Sequence, residues 1–172
     1  ALAVGLRLGV DTQSLREALA GFSGVDRRLQ RLGDRGGRVI LDDYAHHPTE
    51  VHVSVAAVRD AWPGRRLAVV FQPHLYSRTQ QMATEFAEAL TAADEALVLP
   101  IYPAREAPIP GVTARLVTDA SSGFADTVTA DEVPGWVDGL PADSVVVFMG
   151  AGDITLLAHR VAEGKGAHGV GV

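Results

Sequence analysis

The stretch "RVILDDYAHHPTEVHVSVAAVRDAW", residues 38–62, changes its hydrophobic period in mid-course. Its first part, "RVIL", is a short solid apolar run, which is how a strand covered on both faces reads. Its last part places Val51, Val55 and Val58 on one face of a helix, with Pro48 suited to the first turn. Strand, polar loop and helix in this order make half of a βαβ unit. The pattern then repeats. "RLAVVFQ" reads as a strand before the helix "RTQQMATEFAEALTAA", and "EALVLPI" as a strand before the Pro-rich loop "YPAREAPIPG". Beyond it come a weak helix near "TARLVTDASSG", a short strand near "ADTVTA", a helix near "VPGWVDGL", the strand "SVVVFMG" and the helix "DITLLAHRVAEG". The sequence predicts an α/β fold, doubly wound, with a mostly parallel sheet flanked by helices.

Upstream of residue 38 the signals are weaker. Thr12 or Ser14 is expected to cap a short helix over "SLREALAGF", where Leu15, Leu19 and Phe22 fall at helical spacing. "GVDRRLQRLGDRGG" reads as a connecting stretch or an edge strand. The opening "ALAVGLRLGV" carries Arg7 and has no basic region ahead of it, so it does not read as a secretory signal. It is expected to be the tail of a helix that begins further upstream, because the chain opens on Ala1. "GKGAHGVGV" at the other end is expected to fray.

With 172 residues, 47% of them hydrophobic and 21% charged, the chain suits one globular domain plus a short extra piece. Its apolar runs are strand-sized, too short to cross a bilayer. There is no cysteine, which excludes disulfides, thiolate metal sites and a cysteine nucleophile. A formal charge of -6 argues against a general nucleic-acid-binding surface. Arginine is nearly the exclusive cation, since Lys165 is the one lysine.

In an open parallel sheet, ligands bind beyond the carboxyl ends of the strands. The segments there are "DDYAHHPTE", "QPHLYSRT", "YPAREAPIPG" and "GAGDI". His46 and His47 are adjacent, so in an extended loop they point in different directions and do not readily share a metal ion. A metal site would need two further ligands from His74, His159 or the carboxylates, and no H-E-x-x-H spacing is present. His52 and His159 read as ordinary helix residues. Asp43 ends a strand, where a carboxylate either accepts from a sugar's hydroxyls or orders its own loop, and spacing leaves both readings open. His74, Tyr76 and Arg78 stand between a strand and a helix, where a guanidinium suits a carboxylate or phosphate. The competing reading is a cap by Ser77 or Thr79 with Arg78 solvated. "MGAGDI" begins like G-x-G-x-x-G but has Thr155 at the third glycine, which supports a tight turn at a ligand face with Asp153 as a plain N-cap. No phosphate-cradling G-x-x-x-x-G-K-[ST] loop occurs.

Taken in order, "GVDRRLQRLG", "VILDDYAHHPTEV", "VVFQPHLYSRT", "YPAREAPIPGV" and "MGAGDI" resemble the C-terminal part of the Mur ligases. Within that family they resemble the UDP-N-acetylmuramate:L-alanine ligases, which add the first amino acid to the peptidoglycan precursor. The resemblance implies a cytoplasmic, ATP-dependent amide ligase of three domains, one for the UDP-sugar, one for ATP and a Rossmann-like one for the amino acid. ATP would phosphorylate the muramoyl carboxylate, and L-alanine would attack the acyl phosphate. Residues 1–23 would be the last helices of the central ATPase domain and 24–172 the C-terminal domain, with 162–172 a flexible tail. ATP and Mg²⁺ would serve the complete enzyme, and neither would be bound by this fragment alone, which would fold without catalysing. The partners implied are UDP-N-acetylmuramate, L-alanine, ATP and the enzyme's own other domains, with no nucleic acid and no membrane.

On matching positions the resemblance implies ATP contacts for Arg28, Asp43 and Tyr44, with Asp43 on the ribose. It implies substrate contacts for His46, His47, His74, Tyr76 and Arg78, of which His47 and Arg78 are the candidates for a catalytic part. No metal ligand is implied. Leu75 departs from the arginine most common at its position, and Arg105 is the nearby substitute. Two other readings compete: a free-standing module of the same fold that binds a nucleotide or small acid, and a His/Asp metal hydrolase.

Overall fold

Six strands form one sheet in the computed structural model, which describes residues 1–22 and 24–164. β1 (Gln30–Arg35) and β2 (Arg38–Asp43) are antiparallel and joined by Gly36 and Gly37, both at positive φ, which a two-residue hairpin requires. A Cβ on Gly37 would also come within 2.7 Å of the Ala142 carbonyl oxygen. The remaining strands, β3 (Leu67–Phe71), β4 (Glu95–Val98), β5 (Ala125–Thr127) and β6 (Val145–Met149), run parallel to β2 in the order β1-β2-β6-β3-β4-β5. The mostly parallel sheet is thus as expected, and "RLQRLGDR" resolves as the antiparallel edge. β6 is inserted between β2 and β3, which brings the "GAGDI" turn between the loops that follow those two strands.

Helices cover both faces. α3 (Pro48–Ala61), α4 (Tyr76–Leu90) and α5 (Arg115–Ala120) pack Val55, Phe86 and Val117 onto the side of the sheet that carries Leu41, Val69 and Val147. α6 (Val133–Gly139) and α7 (Ile154–Ala162) pack Val137 and Leu157 onto the side that carries Ile40, Val70 and Val146. Alternate residues of each central strand therefore enter two separate cores, which is why those strands read as unbroken apolar runs. α1 (Leu2–Arg7) and α2 (Thr12–Ala20) pack on each other and leave Leu2, Val4, Leu6, Leu8 and Phe22 exposed. Among the described residues no helix is long and apolar enough to cross a membrane.

The cap of α2 is Asp11, not Thr12 or Ser14. Asp11 is the last residue with extended backbone, so its carboxylate faces the free N–H groups of Gln13 and Ser14, both at 3.0 Å. α4 opens at Tyr76, ahead of the expected start at Arg78, and its backbone is kinked at Met82. α7 runs through Ala162, and most of the expected tail, residues 165–172, lies outside the described residues.

Candidate functional site

The segments after β2, β3, β4 and β6, with the one before β1, meet at the carboxyl edge of the sheet. The last two residues of β2 diverge because a strand alternates its faces. Asp43, 3% exposed, turns towards α3: Oδ1 accepts from the Ala45 amide at 2.8 Å and the Ser54 hydroxyl at 3.1 Å, and Oδ2 from the Leu29 amide at 2.8 Å. It therefore orders its own loop and ties down the segment before β1. Asp42, fully buried, turns towards α7 and accepts from the Thr155 hydroxyl at 2.6 Å.

The two adjacent histidines part as their spacing suggests. The amides of His46 and His47 donate to Glu50 at 3.0 and 3.2 Å, the back-reach of a capping box. His47 is the N-cap of α3, with Nδ1 accepting from the Thr49 amide at 3.3 Å. Its ring borders a groove of about 590 Å³ with His52, Met82 and Glu85. His46 turns the other way, its Nδ1 2.9 Å from the Tyr44 carbonyl, and its ring meets Tyr44 and His74 edge-on, with centroids at 5.2 and 5.7 Å. Burial pushes the Glu50 carboxyl up, but the His46 and His47 amides and the charge on His46 outweigh it and hold the group below the usual range. Among the described residues, no three His, Asp or Glu side chains are grouped so as to hold a metal ion.

After β3, Gln72 links two turns. Its Oε1 accepts from the Ile154 amide at 3.2 Å and its Nε2 donates to Asp153 at 2.8 Å. Asp153 occupies the N-cap position of α7 but makes no capping bond, because its backbone (φ -80°, ψ 1°) does not aim the carboxylate back at the helix. Gln72 caps instead. The expected caps of α4 are displaced in the same way: the Ser77 amide donates at 3.0 Å to Glu106, from the loop after β4, and the Ser77 hydroxyl donates to the same carboxylate. The Ser77 hydroxyl and amide hold Glu106 below the usual carboxylate range.

His74 lies on Tyr102, the rings nearly parallel with centroids at 5.8 Å, because the two residues form an isolated parallel bridge. Burial, with the positive charges of Arg78 and His46 nearby, pushes the His74 pKa below its ordinary 6.5. Its Nδ1 is buried without a hydrogen-bond partner in the protein. Leu75 has left-handed backbone at φ 76°, a costly conformation for a side chain with a Cβ, and it sets the angle at which α4 starts. Arg78 donates to the His46 carbonyl at 3.2 Å and pairs with no carboxylate among the described residues. Gly152 has no room for a side chain, since a Cβ would stand 2.4 Å from the Tyr102 ring and 2.6 Å from Gln72 Oε1. The close approach of Tyr102 explains this glycine better than a dinucleotide fingerprint does.

The fold thus gathers Tyr44, His46, His74 and Arg78, with Arg28 exposed at the rim, its Cζ 5.6 Å from the Tyr44 ring centre. It does not gather His47, which caps α3, or Tyr76, which borders a cavity of about 640 Å³ with Ile101, Ile109 and Val128 under the Pro-rich loop. Arg105 is exposed and bonds to none of the cluster. Sequence reasoning missed Arg27, Asp42, Gln72, Tyr102 and Glu106. Each lies at or beyond the carboxyl end of a strand or opposite one, and that position was their available signal. Arg28, beside the Tyr44 ring, and Arg78, on the His46 carbonyl, have no carboxylate partner among the described residues and suit an anionic group.

A family model described as Mur ligase, glutamate ligase domain, matches residues 27–152. The chain belongs to the Mur ligase family. A UDP-N-acetylmuramate–L-alanine ligase of Streptomyces griseus is 47% identical over 166 residues, covering 94% of this Mur ligase chain and 36% of that relative. One of an Arthrobacter species is 52% identical over 132 residues, or 77% of this chain and 28% of the other. The crystal structure of a UDP-N-acetylmuramate-alanine ligase from Thermotoga maritima superposes with a TM-score of 0.77 at 28% identity, covering 94% of this chain and 35% of that one. Folylpolyglutamate synthase of Mycobacterium tuberculosis, solved with ADP and AMPPCP, shares the fold at a TM-score of 0.67 and 19% identity, over 94% of this chain and 38% of its own. The chain therefore spans about a third of the length of the curated relatives it matches.

Proposed function

We propose that this chain is the C-terminal domain of a cytoplasmic, ATP-dependent ligase that joins L-alanine to UDP-N-acetylmuramate through an acyl phosphate. The observation that carries the reading is that Arg78, bonded to the His46 carbonyl and to no carboxylate among the described residues, stands beside the Tyr44–His46–His74 ring cluster at the carboxyl edge of a chain 47% identical to an enzyme of that name. The first helices support the domain division: α1 and α2 leave large apolar side chains such as Leu6 and Leu8 exposed, as the end of a central domain would when its own core lies elsewhere in the protein.

The residues present fit a nucleotide. Arg28 lies exposed beside the Tyr44 ring with no salt-bridge partner among the described residues and suits the phosphates of ATP, the substrate that supplies the activating phosphoryl group. Asp43 uses three of about four carboxylate acceptor positions internally, which leaves one for a ribose hydroxyl. Arg78 suits the carboxylate of L-alanine or the oxyanion that develops when the amine attacks. Pushing the His74 pKa down keeps a second positive charge from competing with it. Among the described residues no three His, Asp or Glu side chains are grouped for a metal ion, and on this reading Mg²⁺ is held by residues outside this chain.

The test is L-alanine-dependent phosphate release by the complete enzyme given ATP, Mg²⁺ and UDP-N-acetylmuramate. It should fall sharply in both Asp43→Ala and Arg78→Ala, and this chain alone should show none. Release untouched by either change would overturn the assignment of the site.

A further inference from the structure

Arg27 has no part in the roles assigned so far, yet it touches more of the site than any residue that does. Its backbone is left-handed at φ 56°, its carbonyl accepts from the Tyr44 amide at 2.7 Å, and its amide donates to Gln30 Oε1 at 3.0 Å. The guanidinium stands 4.7 Å from the Tyr44 ring centre and donates from Nη2 to the Gly150 carbonyl at 2.6 Å, with the Gly152 carbonyl at 3.4 Å. One side chain thus spans from the loop after β2 to the turn after β6.

Beneath it lies Asp42. The Arg27 Nε is 3.6 Å from Asp42 Oδ2, too far for a hydrogen bond, and Oδ2 is already engaged by Thr155. Arg27 Nε and Asp42 Oδ1 are both buried and have no hydrogen-bond partner in the protein. With Asp42 fully buried, Arg27 half-buried and the two bonded so incompletely, the pair offsets little of the cost of taking the carboxylate out of water, so stability is a poor explanation for it. Geometry is a better one. A planar fork with several donors fixes the relative position of two turns in a way that an apolar contact does not. Residue 28, the exposed arginine that suits the phosphates, follows directly from the backbone that Arg27 pins.

We propose that Arg27 is a positioning residue for the nucleotide: supported by Asp42, it holds Tyr44, the turn from Gly150 to Gly152 and its neighbour Arg28 in one arrangement, so that a nucleoside triphosphate meets a preformed surface. The inference rests on the ligase reading above. Arg27 acts through the groups it holds, and it touches no reacting atom.

The test uses the complete enzyme and compares Arg27→Met, Arg27→Lys and the double variant Arg27→Met with Asp42→Asn. Three quantities are read: the unfolding midpoint, the calorimetric affinity for the β,γ-methylene analogue of ATP, and KM against kcat. Arg27→Met should weaken analogue affinity and raise KM for ATP by roughly tenfold each while kcat moves by less than about threefold, the signature of lost ground-state positioning. Arg27→Lys keeps the charge without the fork, so it should recover the midpoint and only part of the affinity. The double variant leaves no buried charge unpaired, so it should regain the midpoint lost by Arg27→Met and none of the affinity. Affinity that returns together with the midpoint, or that never changes, would make this a structural ion pair and overturn the proposal. A wild-type enzyme that binds the analogue without L-alanine-dependent turnover would overturn the ligase reading, and the binding comparison would still decide Arg27. A wild-type enzyme that binds no nucleotide would overturn both.

Discussion

At the amino edge of the sheet the arginines are engaged. Arg35 grips Asp138 with two bonds at 2.6 Å, Arg59 pairs with Asp94 at 2.8 Å and Arg66 with Glu95 at 2.5 Å. Arg38 donates to the carbonyls of Asp138 and Leu140, and Arg65 to those of Gly37, Asp143 and Ser144. At the carboxyl edge, Arg28, Arg78 and Arg105 have no carboxylate partner among the described residues, and Arg27 Nε, Asp42 Oδ1 and His74 Nδ1 are buried without hydrogen bonds. Ser144 Oγ at the amino edge is also buried without a hydrogen bond, so the contrast lies in the arginines, which are partnered at that edge and, in Arg28, Arg78 and Arg105, left without carboxylates at the other. Partnered charges hold a seam together, whereas unpartnered ones keep their affinity for something that arrives from outside.

The contrast breaks most directly at Arg78. Replacing it by alanine should lower L-alanine-dependent phosphate release of the complete enzyme by about 100-fold or more, the scale of one lost transition-state donor, with little change in the unfolding midpoint. A similar loss of midpoint and rate would instead place Arg78 in a seam of the amino-edge kind. Gly152→Ala should cost about 1–3 kcal/mol in urea unfolding, because the new methyl group would press on the Tyr102 ring and Gln72. On the opposite edge, Arg35→Met should cost about 1 kcal/mol or less in the same measurement and leave turnover unchanged, since its partner Asp138 is half exposed.

The smallest effect expected is a pH slope. His74 has a folded pKa below 6.5, so its neutral form is the one the fold favours. Its contribution to stability is complete above the unfolded value of 6.5 and is lost as pH falls through the lowered folded value. Unfolding midpoints measured from pH 8 down to 5 should thus decline less steeply in His74→Gln than in the wild type. Equal slopes would mean that His74 is as well solvated as an amino-edge side chain.

Legibility in the sequence followed burial. β2, β3 and β6 were plain because both faces are covered and, after Arg38 at the start of β2, every residue is apolar until the carboxyl edge. β1, "QRLGDR", was ambiguous because an edge strand with one covered face and a bulge near Gly33 carries charges that a linker would also carry. The ligand edge was legible as a place, from the rule that polar chemistry clusters after parallel strands. Its wiring was not. Gln72 capping α7 and Glu106 capping α4 join residues 82 and 29 positions apart, and no local pattern encodes such a partner. His47 enters as a substrate contact only through the resemblance; in the structure its Nδ1 caps α3, the cap role that a loop histidine also allows.

The strand order has a consequence for how the chain is made. β2 and β3 are not neighbours, and each gains its central partner only from β6, residues 145–149. On a ribosome, a chain that has emerged only as far as α6 carries β2 and β3 each with one unpaired backbone edge, and both edges wait for β6. The pieces of the candidate site come together only when β6 slots in, so assembly of the site and closure of the sheet's centre are one event.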